Sequence, residues 1–253
     1  MTLDPLVVAA CSAAFLAGLV DAVAGGGGLI QLPALLVLWP KTDVPVLLGT
    51  NKVASVAGTS LALLRYVRHG VAIPWPRVGP AAVAAFAGSF AGARLAALLP
   101  STWMRPLVVV LLAGVLAFTL ARKDFGASAA HRSAPLWAAV LLGAGLGAYD
   151  GFFGPGTGSF LLFAFIGMLG LDFLGASASS KVVNVATNAA AILAFATAGQ
   201  VRWGLAVPMA ACNMLGSRIG SHLALTRGAP FVRKLFLVVV SGLLLKLTVD
   251  ALR

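Results

Sequence analysis

Ten apolar runs, each separated from the next by a few Gly, Pro or Arg residues, constrain this chain more than any other feature. They are Leu6–Ala24, Leu29–Trp39, Pro45–Leu64, Val78–Leu99, Leu107–Ala121, Leu136–Phe153, Phe160–Gly170, Gly175–Ala198, Leu205–Leu223 and Leu235–Leu252. Most approach the ~20 residues that a helix needs to cross a ~30 Å hydrocarbon core. Composition agrees: 60% of residues are apolar and 10% charged, whereas soluble domains are about 45–50% apolar and about 25% charged. A water-soluble globule is excluded, and the expected fold class is all-α, a polytopic helical membrane protein. The first residues, Met1 to Pro5, lack the basic region of a cleavable signal peptide, so the first run is expected to stay as a transmembrane helix.

The ten runs are five followed by five of matching length. Asp21 and Asp150, Gly25 and Gly154, Gly27 and Gly156, Lys52 and Lys181, and Gly70 and Gly199 are each separated by 129. After one deletion an offset of 128 relates Gly88 to Gly216, Gly92 to Gly220, Leu95 to Leu223, Arg105 to Arg233 and Gly114 to Gly242. Two unrelated apolar sequences would align Leu and Ala, but they would not align rare Asp and Lys as well. The chain is therefore divided into a first transmembrane repeat, 1–121, a polar cytoplasmic linker, 122–134, and a second repeat, 135–253, which together form one transmembrane domain. An odd number of spans per half makes the repeats inverted. With five spans per half and the N-terminus outside, nine cations fall on inside loops and four outside, in line with the positive-inside rule. Inverted repeats with both termini outside are expected.

The net charge of +11 arises from 18 Lys and Arg against seven acids, all Asp. His69, His131 and His222 are far apart in sequence, so neither a metal site nor a hydrolytic centre is expected. The cations are scattered between apolar runs and form no stripe for nucleic acid. Cys11 and Cys212 lie within apolar runs and read as small packing residues. Most cations are topology signals. Five lie inside apolar runs, Lys52, Arg94, Lys181, Arg218 and Lys246, and of these Arg94 reads as snorkelling to the interface.

Two duplicated motifs carry the chemistry. The first runs from Asp21 through Gly25, Gly26, Gly27 and Gly28 to Gln31 and Pro33, and its counterpart from Tyr149 and Asp150 through Gly154, Pro155, Gly156, Thr157 and Gly158 to Ser159 and Phe160. A glycine costs a helix about 1 kcal/mol and a proline about 3, so both segments are expected to unwind. Unwound backbone at membrane depth is tolerated only when buried in protein or lining a wet cavity. The short helix after each break would aim N–H groups at an anion. Alternatively, the glycines only permit close helix crossing. The second motif is Gly49-Thr50-Asn51-Lys52 with its counterpart Ala178-Ser179-Ser180-Lys181, continued on the same helix face by Asn184 and Asn188. Two buried lysines in equivalent places suggest a cationic lining. Asp21 and Asp150 could carry a coupling proton, pair with the lysines, or cap the broken backbone.

Gly88-Ser89-Phe90-Ala91-Gly92 and Gly216-Ser217-Arg218-Ile219-Gly220 are small-xxx-small faces for close helix contact. Gly143 to Ala148 matches a dinucleotide fingerprint in form alone, because no strand precedes it.

Asp21 through Pro33, Gly49 through Lys52, Tyr149 through Phe160 and Ser180 through Asn184 resemble the sulfite exporter TauE/SafE family of membrane transporters. The resemblance covers essentially the whole chain, departing from the family pattern where Ser179-Ser180-Lys181 replaces Thr-Asn-Lys. It implies a bacterial inner-membrane permease for small anions such as sulfite, sulfonates or sulfoacetate-like compounds. The expected function is transport by alternating access at a central site. That site would be built from Gly25, Gly26, Gly27, Gly28, Gln31, Asn51, Lys52, Gly154, Gly156, Thr157, Gly158, Ser159, Ser180, Lys181, Asn184 and Asn188. An anion channel on the same scaffold and a carrier of a non-sulfur organic anion are the alternatives, and an enzyme acting on lipid phosphate lacks a general base beyond the two aspartates. No cofactor and no nucleic-acid partner are expected. The expected partners are a small anion, the bilayer and a coupling ion, proton or sodium. A homodimer is compatible with the sequence, although no residue demands one.

Overall fold

The computed structural model describes residues 4–121 and 134–251. The linker expected at 122–134 therefore lies, apart from Ala134, outside the described residues. Every regular element among them is a helix: α1 (Pro5–Ala24), α2 (Gly28–Leu38), α3 (Val44–Arg68), α4 (Trp75–Leu98), α5 (Ser101–Ala121), α6 (Leu136–Phe152), α7 (Thr157–Leu169), α8 (Phe173–Thr197) and α9 (Trp203–Ala251). Local signals set many of the ends. Asp4 accepts a hydrogen bond from the Leu6 amide and Pro5 opens α1. Asp172 caps α8 through the Gly175 amide. Arg65 and Arg68 occupy the last turn of α3, where cations complement the helix dipole.

The tenth run does not form a separate helix. Leu205–Leu223 and the tenth run as far as Ala251 are joined in α9, 49 residues long and thus about 73 Å. In the first half α4 stops at Leu98 and Pro100 stands before α5. The residue 128 further on is Gly228, and the nearest proline, Pro230, lies inside α9.

α1, α3 and α4 are long and apolar enough to cross a membrane. Large apolar side chains face outward along them and elsewhere, Leu98 at 81% exposure and Val83 at 73%, while Lys52, Lys181, Asp150, Asn184 and Asn188 are buried. This polarity is reversed from that of a soluble protein and suits a lipid surround.

The long helices pack crosswise between the halves, α1 along α9 and α4 along α6. The small-residue faces make these contacts possible. Gly88 and Gly92 rest on the backbone of Ala144 and Ala148, and Gly216 and Gly220 rest on that of Phe15 and Leu19, positions related by the offsets of the duplication. Likewise Ser89 donates to the Thr187 carbonyl and Ser217 to that of Gly58. The glycines of the fingerprint-like segment serve packing: Gly143 and Gly147 abut Ala81 and Ala85 of α4. Cys11 and Cys212 are packed against one apolar cluster with Ala10, Ala14 and Leu47.

Candidate functional site

Both glycine segments break their helices. Gly25 takes φ of 75° and closes α1; Gly156, at 87°, precedes α7, and both lie in the left-handed region that glycine enters without a Cβ penalty. Each break is a tight reversal, not a kink. Gly27 lies against Ala17 and Asp21, and Leu35 is packed with Ala10 and Ala14, so α2 runs back along α1. The second break does the same, since the amide of Ala134, just before α6, donates to Met168 near the end of α7. With 11 and 13 residues, α2 and α7 reach about 16 and 20 Å, short of a full span.

The two reversals meet tip against tip. A Cβ on Gly158 would stand 2.6 Å from the Gly25 Cα, and one on Gly28 would stand 3.0 Å from the Pro155 Cα. Glycine is therefore required here for close approach as well as for backbone conformation. Beside this contact lies a cavity of about 30 Å³ lined by Asp21, Asn51, Lys52, Ser55, Thr59, Asp150, Asn184, Asn188 and the break glycines Gly25, Gly28, Gly154, Gly156 and Gly158. That volume holds about two waters.

The lysines pair with the aspartates of the opposite half. Lys52 Nζ lies 2.9 Å from an Asp150 carboxylate oxygen, with both side chains buried. Lys181 Nζ lies 3.7 Å from Asp21 Oδ2 and also donates to the Asp21 backbone carbonyl. Thr59 Oγ1 donates to the same carboxylate at 3.0 Å. The expected cationic lining is thus neutralised, two positive charges by two negative ones.

Each member of the expected site has a definite place. Gly25, Gly28, Asn51, Lys52, Gly154, Gly156, Gly158, Asn184 and Asn188 line the cavity, as do Asp21 and Asp150. The others stand behind it. Lys181 is buried on the far side of Asp21 and Ser180 bonds back to Ala176. Gln31 accepts from Asn213 at 3.0 Å, and Thr157 donates to the Gly154 carbonyl at 2.8 Å. Gly26, Gly27 and Ser159 are buried in the tips without lining the cavity. Ser55 and Thr59 are lining residues that motif reading passed over. Their signal was present, since they stand 129 residues before Asn184 and Asn188.

The end of α1 is held by side chains from the two central helices. Apart from that of Asp21, which accepts from the Gly25 amide, its last carbonyls lack helical partners. Lys181 serves Asp21, the Tyr66 hydroxyl serves Ala22 at 2.9 Å, and Ser177 serves Val23 at 3.3 Å. The positions equivalent to Tyr66 and Ser177 are Phe195 and Leu48, which have no donor to offer the end of α6.

Comparison with known proteins bears on the whole chain. The family described as Sulfite exporter TauE/SafE matches residues 10–247. A Sinorhizobium protein named "Probable membrane transporter protein ORF9" is 34% identical over 241 residues, 94% of this chain and 90% of the relative. The Escherichia coli K12 protein named "Probable membrane transporter protein YfcA" is 32% identical, covering 94% and 88%. A Haemophilus influenzae protein named "Probable membrane transporter protein" is 32% identical, covering 98% and 96%. No solved structure matches significantly.

Proposed function

The chain belongs to the sulfite exporter TauE/SafE family, membrane transporters and not enzymes, and from that premise we propose that it is a secondary permease for small sulfur-containing oxyanions such as sulfite, a sulfonate or a sulfoacetate-like compound. The observation that carries the reading is the meeting of the Gly25 and Gly158 tips beside a polar cavity that contains a buried lysine, Lys52. Helix N-termini, a lysine and the amides of Asn184 and Asn188 are donors suited to an anion.

Room for about two waters is less than an SO₃ group requires, so the site must widen to take the substrate. The tips or the crosswise helices must part to admit substrate, and alternating access between the two repeats, 1–121 and 135–253, supplies that motion. In this reading the repeats are inverted, the protein resides in the inner membrane, and both termini face outward. Chemical specificity rests on Lys52 and not equally on both lysines, because Lys181 does not reach the cavity.

Flux of labelled sulfite and of a labelled alkanesulfonate into proteoliposomes tests the proposal. Saturable uptake that Lys52→Met abolishes, in protein whose thermal unfolding remains cooperative, is the expected result. Uptake unchanged by Lys52→Met would remove this site from the pathway.

A further inference from the structure

Asp150 already balances the Lys52 charge, so an anion that joined Lys52 alone would bring an uncompensated negative charge into the site. The pair is buried on both sides, 2.9 Å apart, and a buried pair that loses one partner leaves an uncompensated charge. We propose that Asp150 is the coupling residue of the transport cycle: a proton taken up by its carboxylate and an anion taken up by Lys52 replace each other's partner, so that anion and proton bind together. This inference rests on the permease reading above and names the co-substrate of that site.

The charges balance. Before binding, the pair is one ammonium and one carboxylate, neutral in sum. Afterwards the ammonium faces a monoanion and the carboxyl carries the proton delivered from solution, again neutral in sum. Neither step alone preserves that balance, so each ligand raises the affinity for the other by the same factor.

The surroundings of Asp150 single it out. Facing it are Lys52 from α3 and, across the cavity, Asp21 from α1. On its own helix the Tyr149 hydroxyl is committed to the Pro155 carbonyl at 2.8 Å. α7 contains no titratable residue, and α4 meets α6 through Ala81, Ala85, Gly88, Ser89 and Gly92 while its Arg94 stacks on Phe90. Lys181 of α8 is turned to Asp21. Asp21 is unsuited to the exchange, because Thr59 and Lys181 both hold it and Lys181 is out of an anion's reach. The Lys52 ammonium also adjoins the second tip, since a Cβ on Gly154 would stand 2.8 Å from it. Releasing Lys52 from Asp150 therefore changes the contacts of that tip.

The test is anion binding to the full detergent-purified chain, with ethanesulfonate as probe because this strong-acid monoanion stays ionised throughout. Wild type is expected to gain about tenfold in affinity per unit fall in pH, and to take up about one proton per anion in weakly buffered solution. Asp150→Asn should bind with no pH slope and no proton uptake, whereas Asp43→Asn, at the start of α3 and away from the cavity, keeps both. A wild-type affinity independent of pH, or a slope that survives in Asp150→Asn, overturns the coupling while leaving the permease intact. Should Asp150→Asn fail to fold, proton uptake by the wild type decides alone, and its absence on binding overturns the proposal. If neither ethanesulfonate, sulfite nor sulfoacetate binds at any pH, the permease reading fails and the coupling falls with it.

Discussion

The two lysine–aspartate pairs are equivalent in the duplication and different in the molecule. Lys52 and Asp150 are in close contact and both line the cavity, whereas Lys181 lies behind Asp21, further from its carboxylate and bonded to the backbone that ends α1. The first tip is secured by Lys181, Tyr66 and Ser177, while the corresponding places around the second are held by Lys52, Phe195 and Leu48. One tip is anchored by side chains; the other depends on a lysine that a ligand can claim. In the proposed reading, a duplicated motif has divided into an anchoring copy and a binding copy.

The sharpest way to break this comparison is to remove each lysine in turn. Lys52→Met should abolish saturable flux and, its pair being the more buried, also lose stability, whereas Lys181→Met should lose stability and keep anion binding. Lys181→Met leaves the partly exposed Asp21 carboxylate without its cation, a loss smaller than the about 3–5 kcal/mol of a fully buried pair but one that thermal unfolding of the purified variant would register. If both variants lose binding equally with intact folds, the two pairs act as one site.

The tips give the next largest effect. Gly158→Ala places a methyl into the Gly25 backbone, and overpacking of this kind costs about 1–3 kcal/mol. A lower apparent Tm together with slower flux is expected, and wild-type flux would show that the tips do not need close contact. Smaller still is Tyr66→Phe, which deletes one buried hydrogen bond at the anchored tip, for about 1 kcal/mol. Its effect on Tm should exceed its effect on anion affinity, and the reverse would place Tyr66 in the binding pathway. Thr59→Val, which frees the Asp21 carboxylate of one donor, should move affinity by a few-fold at most in a binding titration.

Much of this arrangement was legible beforehand. Gly25 to Gly28 and Gly154 to Gly158 announce the breaks because backbone energetics act locally, and the offset of 129 marks Lys52 with Lys181 and Asp21 with Asp150 as corresponding residues. The crosswise pairing is not legible, since an offset relates equivalent positions and says nothing of which half touches which. Nor does hydropathy separate Lys181 from Lys52: their surroundings diverge only once α1 ends against α8. Ser55 and Thr59 could have been found by carrying Asn184 and Asn188 back through the repeat. The continuity of α9 escapes a reading of apolar runs, because Arg227, Gly228 and Pro230 between the two runs signal an interruption that the helix does not make.

The central claim, that the Lys52–Asp150 pair binds the anion and the Lys181–Asp21 pair anchors the fold, is tested most directly by two charge-neutral double variants, Lys52→Met with Asp150→Asn and Lys181→Met with Asp21→Asn. Each removes one pair without leaving a buried charge. The measurement is the rise in thermal unfolding temperature on adding sulfite, since a ligand that binds only the folded state stabilises it by about 2.7 kcal/mol at a hundred times its Kd. The first variant should remain folded and show no rise, while the second unfolds at lower temperature and is still stabilised. A sulfite-dependent rise in the first variant, or its loss in the second alone, contradicts the account.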